Sequence, residues 1–366
     1  MLTRTFLIVL IAAFSVRTLA QVPTATVQPP LKITEGDYQI HDFHFTDGES
    51  LPELKIHYRT VGEPVVVSGE IKNAVVLLHA TTSTGAEFLT DGFRSPMFGP
   101  GQPLDASKYY IILPDAIGLG GSSKPSDGLH ARFPHYGYND MVEAQKQLVT
   151  QGLGVNHLKI VLGTSMGGMH TWLWAEKYPG LMDGIIPIVC QTEKVSGRNL
   201  LWRRLITTAI RTDPSWKEGE YQTQPWSLEH TYPLMLMMLG NAREFQTKTN
   251  TLEETRAYLD DAAAFIGRGD LDTNDVLYRL EASGDYDPAP DLGRVSAAVL
   301  SINFADDEIN PPELGFIERE ERAVPKGKFI LVPASQQTLG HQTFGKAAVY
   351  QGYVAQFLGS LAKRAH

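Results

Sequence analysis

Short apolar runs, each ending in a loop signal, recur at residues 74–78, 109–113, 159–162, 184–189, 297–304 and 328–332. Strands that are apolar on both faces belong to a parallel sheet covered by helices on each side. Helical patterns lie between several of them, notably at 138–151 and 167–177. The alternation predicts an α/β fold built on a mostly parallel, doubly wound sheet. Ahead of it, period-2 runs at 38–45 and 54–60 flank the turn-forming residues 46–50 and read as an antiparallel pair. From Cys190 to about Asp291 the strand signal vanishes, and helical stretches replace it at 199–211, 227–239, 252–266 and 274–282. Thr251 with Glu254 three residues on makes a capping box for the third of these. The expected division is a core at 35–190 and 292–366, with an inserted helical lid at 191–291 over the sheet's C-terminal edge. Six consecutive apolar residues, 234–239, cannot all face one core from one helix, so part of the run should meet the site or a second copy.

Composition narrows the function classes. The 366 residues are 43% hydrophobic and 20% charged, close to the globular norm and far from a disordered chain, a collagen or a coiled coil. With 41 acidic against 32 basic residues, the formal charge of −9 is the wrong sign for tracking phosphates, so nucleic acid is not an expected partner. One cysteine, Cys190, excludes an intramolecular disulfide and a cysteine-cluster metal site.

The first twenty residues have a secretory layout: Arg4, an apolar run at 6–14, then Thr18-Leu19-Ala20 with small residues at −3 and −1. Nine helical residues rise only about 13.5 Å, roughly half the hydrocarbon thickness, which disfavours a spanning anchor. The expectation is a signal peptide at 1–20 cleaved before Gln21, then a proline-rich tether at 21–34, with no stable membrane insertion after cleavage. Cleavage removes Arg4 and Arg17 and takes the charge from −9 to −11. The expected location is secreted or periplasmic.

Gly163-Thr164-Ser165-Met166-Gly167 follows a hydrophobic strand and opens a helix, the context a nucleophile elbow requires. A serine needs a histidine base oriented by a carboxylate, and in this topology the order is Ser, acid, His on loops after late strands. The run 297–304 ends in Ala305-Asp306-Asp307-Glu308, and 328–332 leads to Leu339-Gly340-His341. His341 is the best base of the eleven histidines, because the others fall in the N-terminal hairpin, early loops, helices or the terminus. Asp306, Asp307 and Glu308 all remain candidates for the acid. The oxyanion donors expected are the backbone N–H groups of Met166 and of Thr81, in the loop His79-Ala80-Thr81-Thr82. His79, at the strand end, suits a structural hydrogen bond better than catalysis. No cofactor is implied, and three consecutive acids do not converge oxygens on a metal as a dedicated calcium loop does.

These residues resemble the homoserine O-acetyltransferase family of α/β hydrolases. Matching pieces are 73–82 (NAVVLLHATT), 99–101 with Leu104-Asp105, 139–145 (NDMVEAQ), 163–169 (GTSMGGM), 186–188 and Gly340-His341. The resemblance implies a Ser-Asp-His triad on an α/β-hydrolase core with a helical lid, often a lid-mediated dimer. In the family the acid precedes a proline by four residues, which selects Asp307, with Pro311 following. The family's acceptor-binding arginine on the first lid helix aligns near Thr207, with Arg203 and Arg204 one turn away. Biosynthetic members use acetyl-CoA in the cytosol, which is not expected outside the cell. The leading expectation is therefore a secreted serine carboxylesterase on short-chain acyl esters. The alternative is an O-acyltransferase from acyl-CoA to an alcohol. A non-catalytic binder would have no use for serine, acid and histidine together.

Overall fold

A computed structural model describes residues 31–267 and 271–364. The signal-peptide reading at 1–20, and most of the tether, lie outside the described residues. Among the described residues, ten strands and ten α-helices follow in chain order. Strands β1 (Ile33–His44) and β2 (Ser50–Val61) form the antiparallel pair, with β1 starting inside the stretch read as tether. A two-stranded hairpin, β3 (Val66–Val67) and β4 (Glu70–Ile71), precedes β5 (Ala74–Leu78) and β6 (Tyr110–Pro114). Then come β7 (Leu158–Thr164), β8 (Met182–Ile188), β9 (Ala298–Phe304) and β10 (Lys328–Val332). The main sheet has eight strands in the order β1-β2-β6-β5-β7-β8-β9-β10. From β6 onward in that order every pairing is parallel, and β2 joins β6 antiparallel.

The apolar runs become two cores because successive side chains point to opposite faces. In β5, Ala74, Val76 and Leu78 enter the core on one face, and Val75 and Leu77 enter the core on the other. The first core takes Met141 and Val142 of α2 (Tyr138–Gln147) and Trp172 and Leu173 of α3 (Met166–Lys177). The second takes Phe93 and Met97 of α1 (Asp91–Met97) and Val354 and Phe357 of α10 (Gln351–Arg364). Each fully buried Val, Leu or Phe contributes about 1.5–3 kcal/mol of transfer free energy, so loss of either face would leave the sheet unsupported. The helical pattern expected over 138–151 ends as α-helix at Gln147 and continues as a π-helical turn, Leu148–Gly152.

Between β8 and β9 the described residues hold no strand. Helices α4 (Gly197–Thr212), α5 (Trp226–Leu239), α6 (Ala242–Lys248), α7 (Leu252–Gly267) and α8 (Thr273–Glu281) occupy that stretch. They share a third core, with Trp202 and Ile206 of α4, Leu228 and Met235 of α5, and Val276 and Leu277 of α8. Ile309, from the loop after β9, joins this cluster and ties the inserted helices to the sheet edge. Thr251 and Glu254 cap α7 reciprocally: Thr251 N–H donates to Glu254 Oε2 at 2.8 Å and Glu254 N–H to Thr251 Oγ1 at 3.1 Å. A final α9 (Phe316–Ala323) lies between β9 and β10. No helix among the described residues is long and apolar enough to cross a membrane.

Candidate active site

Strand β7 runs straight into the turn carrying Ser165, and α3 begins at the next residue. Ser165 has φ 52° and ψ −112°, a region costly for a residue with a side chain, which holds the hydroxyl out at the apex of the turn. The turn closes only because its neighbours are small. A Cβ on Gly163 would lie 2.0 Å from the Gly167 carbonyl oxygen, and one on Gly167 would lie 1.9 Å from that of Leu78. The second contact also shows how closely the start of α3 presses on the end of β5.

The loops after β9 and β10 bring two further side chains to this turn. His341 Nε2 lies 2.7 Å from Ser165 Oγ. Its Nδ1 faces both carboxylate oxygens of Asp307, at 2.9 and 3.0 Å. His341 and Asp307 are 1% and 2% exposed, whereas Ser165 remains partly open. Asp307 is fixed in turn by the Ile309 N–H, 2.8 Å from Oδ1, and by Asn310 Nδ2, 3.3 Å from Oδ2. Since the carboxylate accepts at Nδ1–H, His341 can present a bare Nε2 to the serine proton.

The three adjacent acids diverge to three different partners. Asp307 takes the histidine. Asp306 Oδ2 accepts from Asn241 Nδ2 and Thr338 Oγ1, both at 2.7 Å, and from the Gly340 N–H at 3.3 Å. Glu308 pairs with Arg198 of α4 at 3.0 Å. Asp306 therefore holds the histidine loop and the start of α6 to the end of β9. Apart from the proline four residues after Asp307, nothing in the local sequence separates these roles.

The backbone N–H groups of Met166 and Thr81 are the expected oxyanion donors. Met166 is the first residue of α3, whose opening N–H groups lack intrahelical partners. Among the described residues neither N–H is taken by another group of the chain. His79 is structural: its Nε2 accepts from the Ala116 N–H at 3.0 Å, and its Nδ1 faces the Ala80 carbonyl at 2.8 Å. Burial holds His79 below the usual histidine range. Sequence reasoning missed Glu87, buried beneath this loop and hydrogen-bonded to Thr164 and to the Ala80 N–H. Its only local signal is an acid inside an otherwise apolar and small stretch, Gly85-Ala86-Glu87-Phe88-Leu89.

On α4, Thr207 is buried with its hydroxyl turned to the Arg204 carbonyl. Arg204 is exposed, and Arg203 is buried. The Arg203 guanidinium bonds to Asn199 Oδ1 at 3.0 Å and lies over the Trp202 ring. It also faces the Tyr138 phenol, opposing the upward push that burial gives that group. No carboxylate pairs with Arg203 among the described residues.

With serine, imidazole and carboxylate in one hydrogen-bonded series, the arrangement can take an acyl group onto Ser165. Residues 73–314 match the family described as the alpha/beta hydrolase fold. A probable acyltransferase of Methanothermobacter thermautotrophicus is 28% identical over 331 residues, covering 90% of this chain and 98% of that protein. A homoserine O-acetyltransferase of Desulfotalea psychrophila is 33% identical over 311 residues, covering 72% of this chain and 77% of that protein. The crystal structure of esterase E22 superposes with a TM-score of 0.78 at 18% identity, over 89% of this chain and all of that one. The chain belongs to the homoserine O-acetyltransferase family of the α/β-hydrolase fold.

Proposed function

We propose that this enzyme is a serine carboxylesterase that cleaves short-chain acyl esters through an acyl-enzyme on Ser165. The observation that carries the reading is the unbroken series Ser165 Oγ, His341 Nε2, His341 Nδ1 and Asp307, with hydrogen-bonding distances throughout. Ser165 Oγ attacks the ester carbonyl while His341 takes its proton, and Asp307 steadies the imidazolium. The carbonyl oxygen becomes an oxyanion between the Met166 and Thr81 N–H groups. Collapse expels the alcohol, which receives the proton from His341. Water then attacks the acyl-enzyme, giving its proton to His341; collapse breaks the acyl–Oγ bond, His341 returns the proton to Ser165 Oγ, and the carboxylic acid leaves.

Two features favour water as the second nucleophile. The resemblance puts the acceptor-binding arginine near Thr207, and Ser165 is partly open to solvent. The secretory layout of residues 1–20 points the same way, since a secreted or periplasmic enzyme would not meet acetyl-CoA. A second reading, O-acyl transfer to an alcohol, is favoured by Arg203: its buried guanidinium faces Tyr138 without a carboxylate partner among the described residues, and the sequence relatives named above are acyltransferases. The two share the acyl-enzyme and differ in what resolves it. Product partitioning at fixed acyl donor, while homoserine rises into the millimolar range, decides between them. Acetate as the main product throughout supports the esterase. O-acetylhomoserine replacing acetate makes the protein a transferase.

A further inference from the structure

An oxyanion site made of backbone donors is only as well placed as the peptides that carry them. Three groups hold the peptides around Ala80. The Ala116 N–H donates to His79 Nε2, so the ring proton of this neutral histidine is on Nδ1, where it donates to the Ala80 carbonyl. The Ser83 N–H donates to the same carbonyl at 3.1 Å. In a trans peptide the C=O and N–H point in opposite directions, so fixing the Ala80 carbonyl aims the Thr81 N–H. The preceding peptide is held by Glu87, whose Oε2 accepts from the Ala80 N–H at 3.1 Å.

The other carboxylate oxygen of Glu87 bonds to the Thr164 hydroxyl. Thr164 is the last residue of β7 and directly precedes Ser165. One buried carboxyl group thus bridges the two segments that supply the two donors: the loop after β5 and the elbow after β7. Packing does not ask for a charge-bearing group here. Glu87 has no cation partner among the described residues, and burial pushes it up to about 7 against the hydrogen bonds from Thr164, Ala80 and Ser83.

We propose that Glu87 is a positioning residue for the oxyanion donors, fixing the spacing of the Thr81 and Met166 N–H groups by tying Ala80 to Thr164. The proposal rests on the reading of Ser165 as the nucleophile. It requires Glu87 to act more on the tetrahedral state than on bound ester, because the oxyanion forms only there.

The test compares wild type with Glu87→Leu, Glu87→Gln and Thr164→Val. It measures kcat and KM on p-nitrophenyl acetate, the inhibition constant of a trifluoromethyl ketone that adds Ser165 as a tetrahedral oxyanion, and the thermal midpoint. Glu87→Leu should lose about 10–100-fold in kcat with KM within about twofold, and bind the ketone weaker by a similar factor. Glu87→Gln should stay within about threefold, since its carbonyl can accept from Ala80 and its amide can donate to Thr164. Thr164→Val, which opens the bridge from its other end, should lose about tenfold in kcat and in ketone affinity. A folded Glu87→Leu with wild-type kcat and ketone affinity overturns the proposal. So does a fall in thermal midpoint with ketone affinity unchanged. If Glu87→Leu does not fold, wild-type kcat and ketone affinity in Thr164→Val overturn it. Wild-type turnover in Ser165→Ala is a separate outcome: it removes the nucleophile reading itself, and this proposal with it.

Discussion

At the scale of single residues, the site depends on neighbours that look alike in sequence doing different things. Asp307→Asn should lower kcat by about 10³–10⁴-fold, because the side chain that orients His341 loses its charge and permits the wrong tautomer. Asp306→Asn should cost less than about tenfold, as its carbonyl oxygen can still accept from Asn241, Thr338 and Gly340 while the new amide replaces an oxygen that has no partner. Steady-state kinetics of the two variants, with circular dichroism to confirm folding, checks the ranking; the reverse order would move the acid to Asp306. Ser165 and His341 were legible because strand–turn–helix context and chain order mark them. The acid was legible only through the family's proline spacing, since Asp306, Asp307 and Glu308 differ in the tertiary partner each meets. Glu87 was not legible, because Thr164 is 77 residues away and nothing local announces the bond.

At the scale of elements, the strands of the parallel sheet were readable because each is apolar on both faces, and a buried strand leaves no other solution for such a run. Two helices outside the expected set bury few apolar residues. The α6 helix buries none of its residues, and its one strong signal is the cap, Asn241 Oδ1 accepting from the Glu244 N–H at 2.8 Å. In α9, Phe316 and Glu320 share the buried face, so a carboxyl group stands where an apolar residue would have revealed the helix. Glu320 sits against Ser301 of β9, and burial pushes its carboxyl from 4.5 up to about 8. The folded protein therefore holds this proton over a range where the unfolded chain has released it. Stability from this group is full below about pH 4.5 and is lost as pH rises through about 8. Glu320→Gln should raise the thermal midpoint relative to wild type more at pH 9 than at pH 5, by scanning calorimetry at the two values. An equal difference at both would mean that Glu320 is not protonated in the folded state.

At the scale of the whole molecule, the inserted helices have a core of their own and apolar surface left over. The 234–239 run divides: Met235 and Met238 are buried in the core of the inserted helices, whereas Met237 is 52% exposed. Leu201 and Leu205 of α4, Trp226 of α5 and Leu252 of α7 are exposed as well. We propose that a second copy of the chain docks on the inserted helices through part of this exposed apolar surface. Sedimentation equilibrium should then give about twice the monomer mass at tens of micromolar, and the pair Leu201→Glu with Met237→Glu should shift it to monomer. A monomeric wild type would contradict the dimer. The central claim, that acyl transfer passes through Ser165, is tested most directly by the mass of the intact protein. Wild type mixed with p-nitrophenyl acetate and quenched in acid during turnover should carry one acetyl group, mapping to the peptide that contains Ser165, and Ser165→Ala should carry none. Steady turnover without that adduct, or the same adduct on Ser165→Ala, would contradict the account.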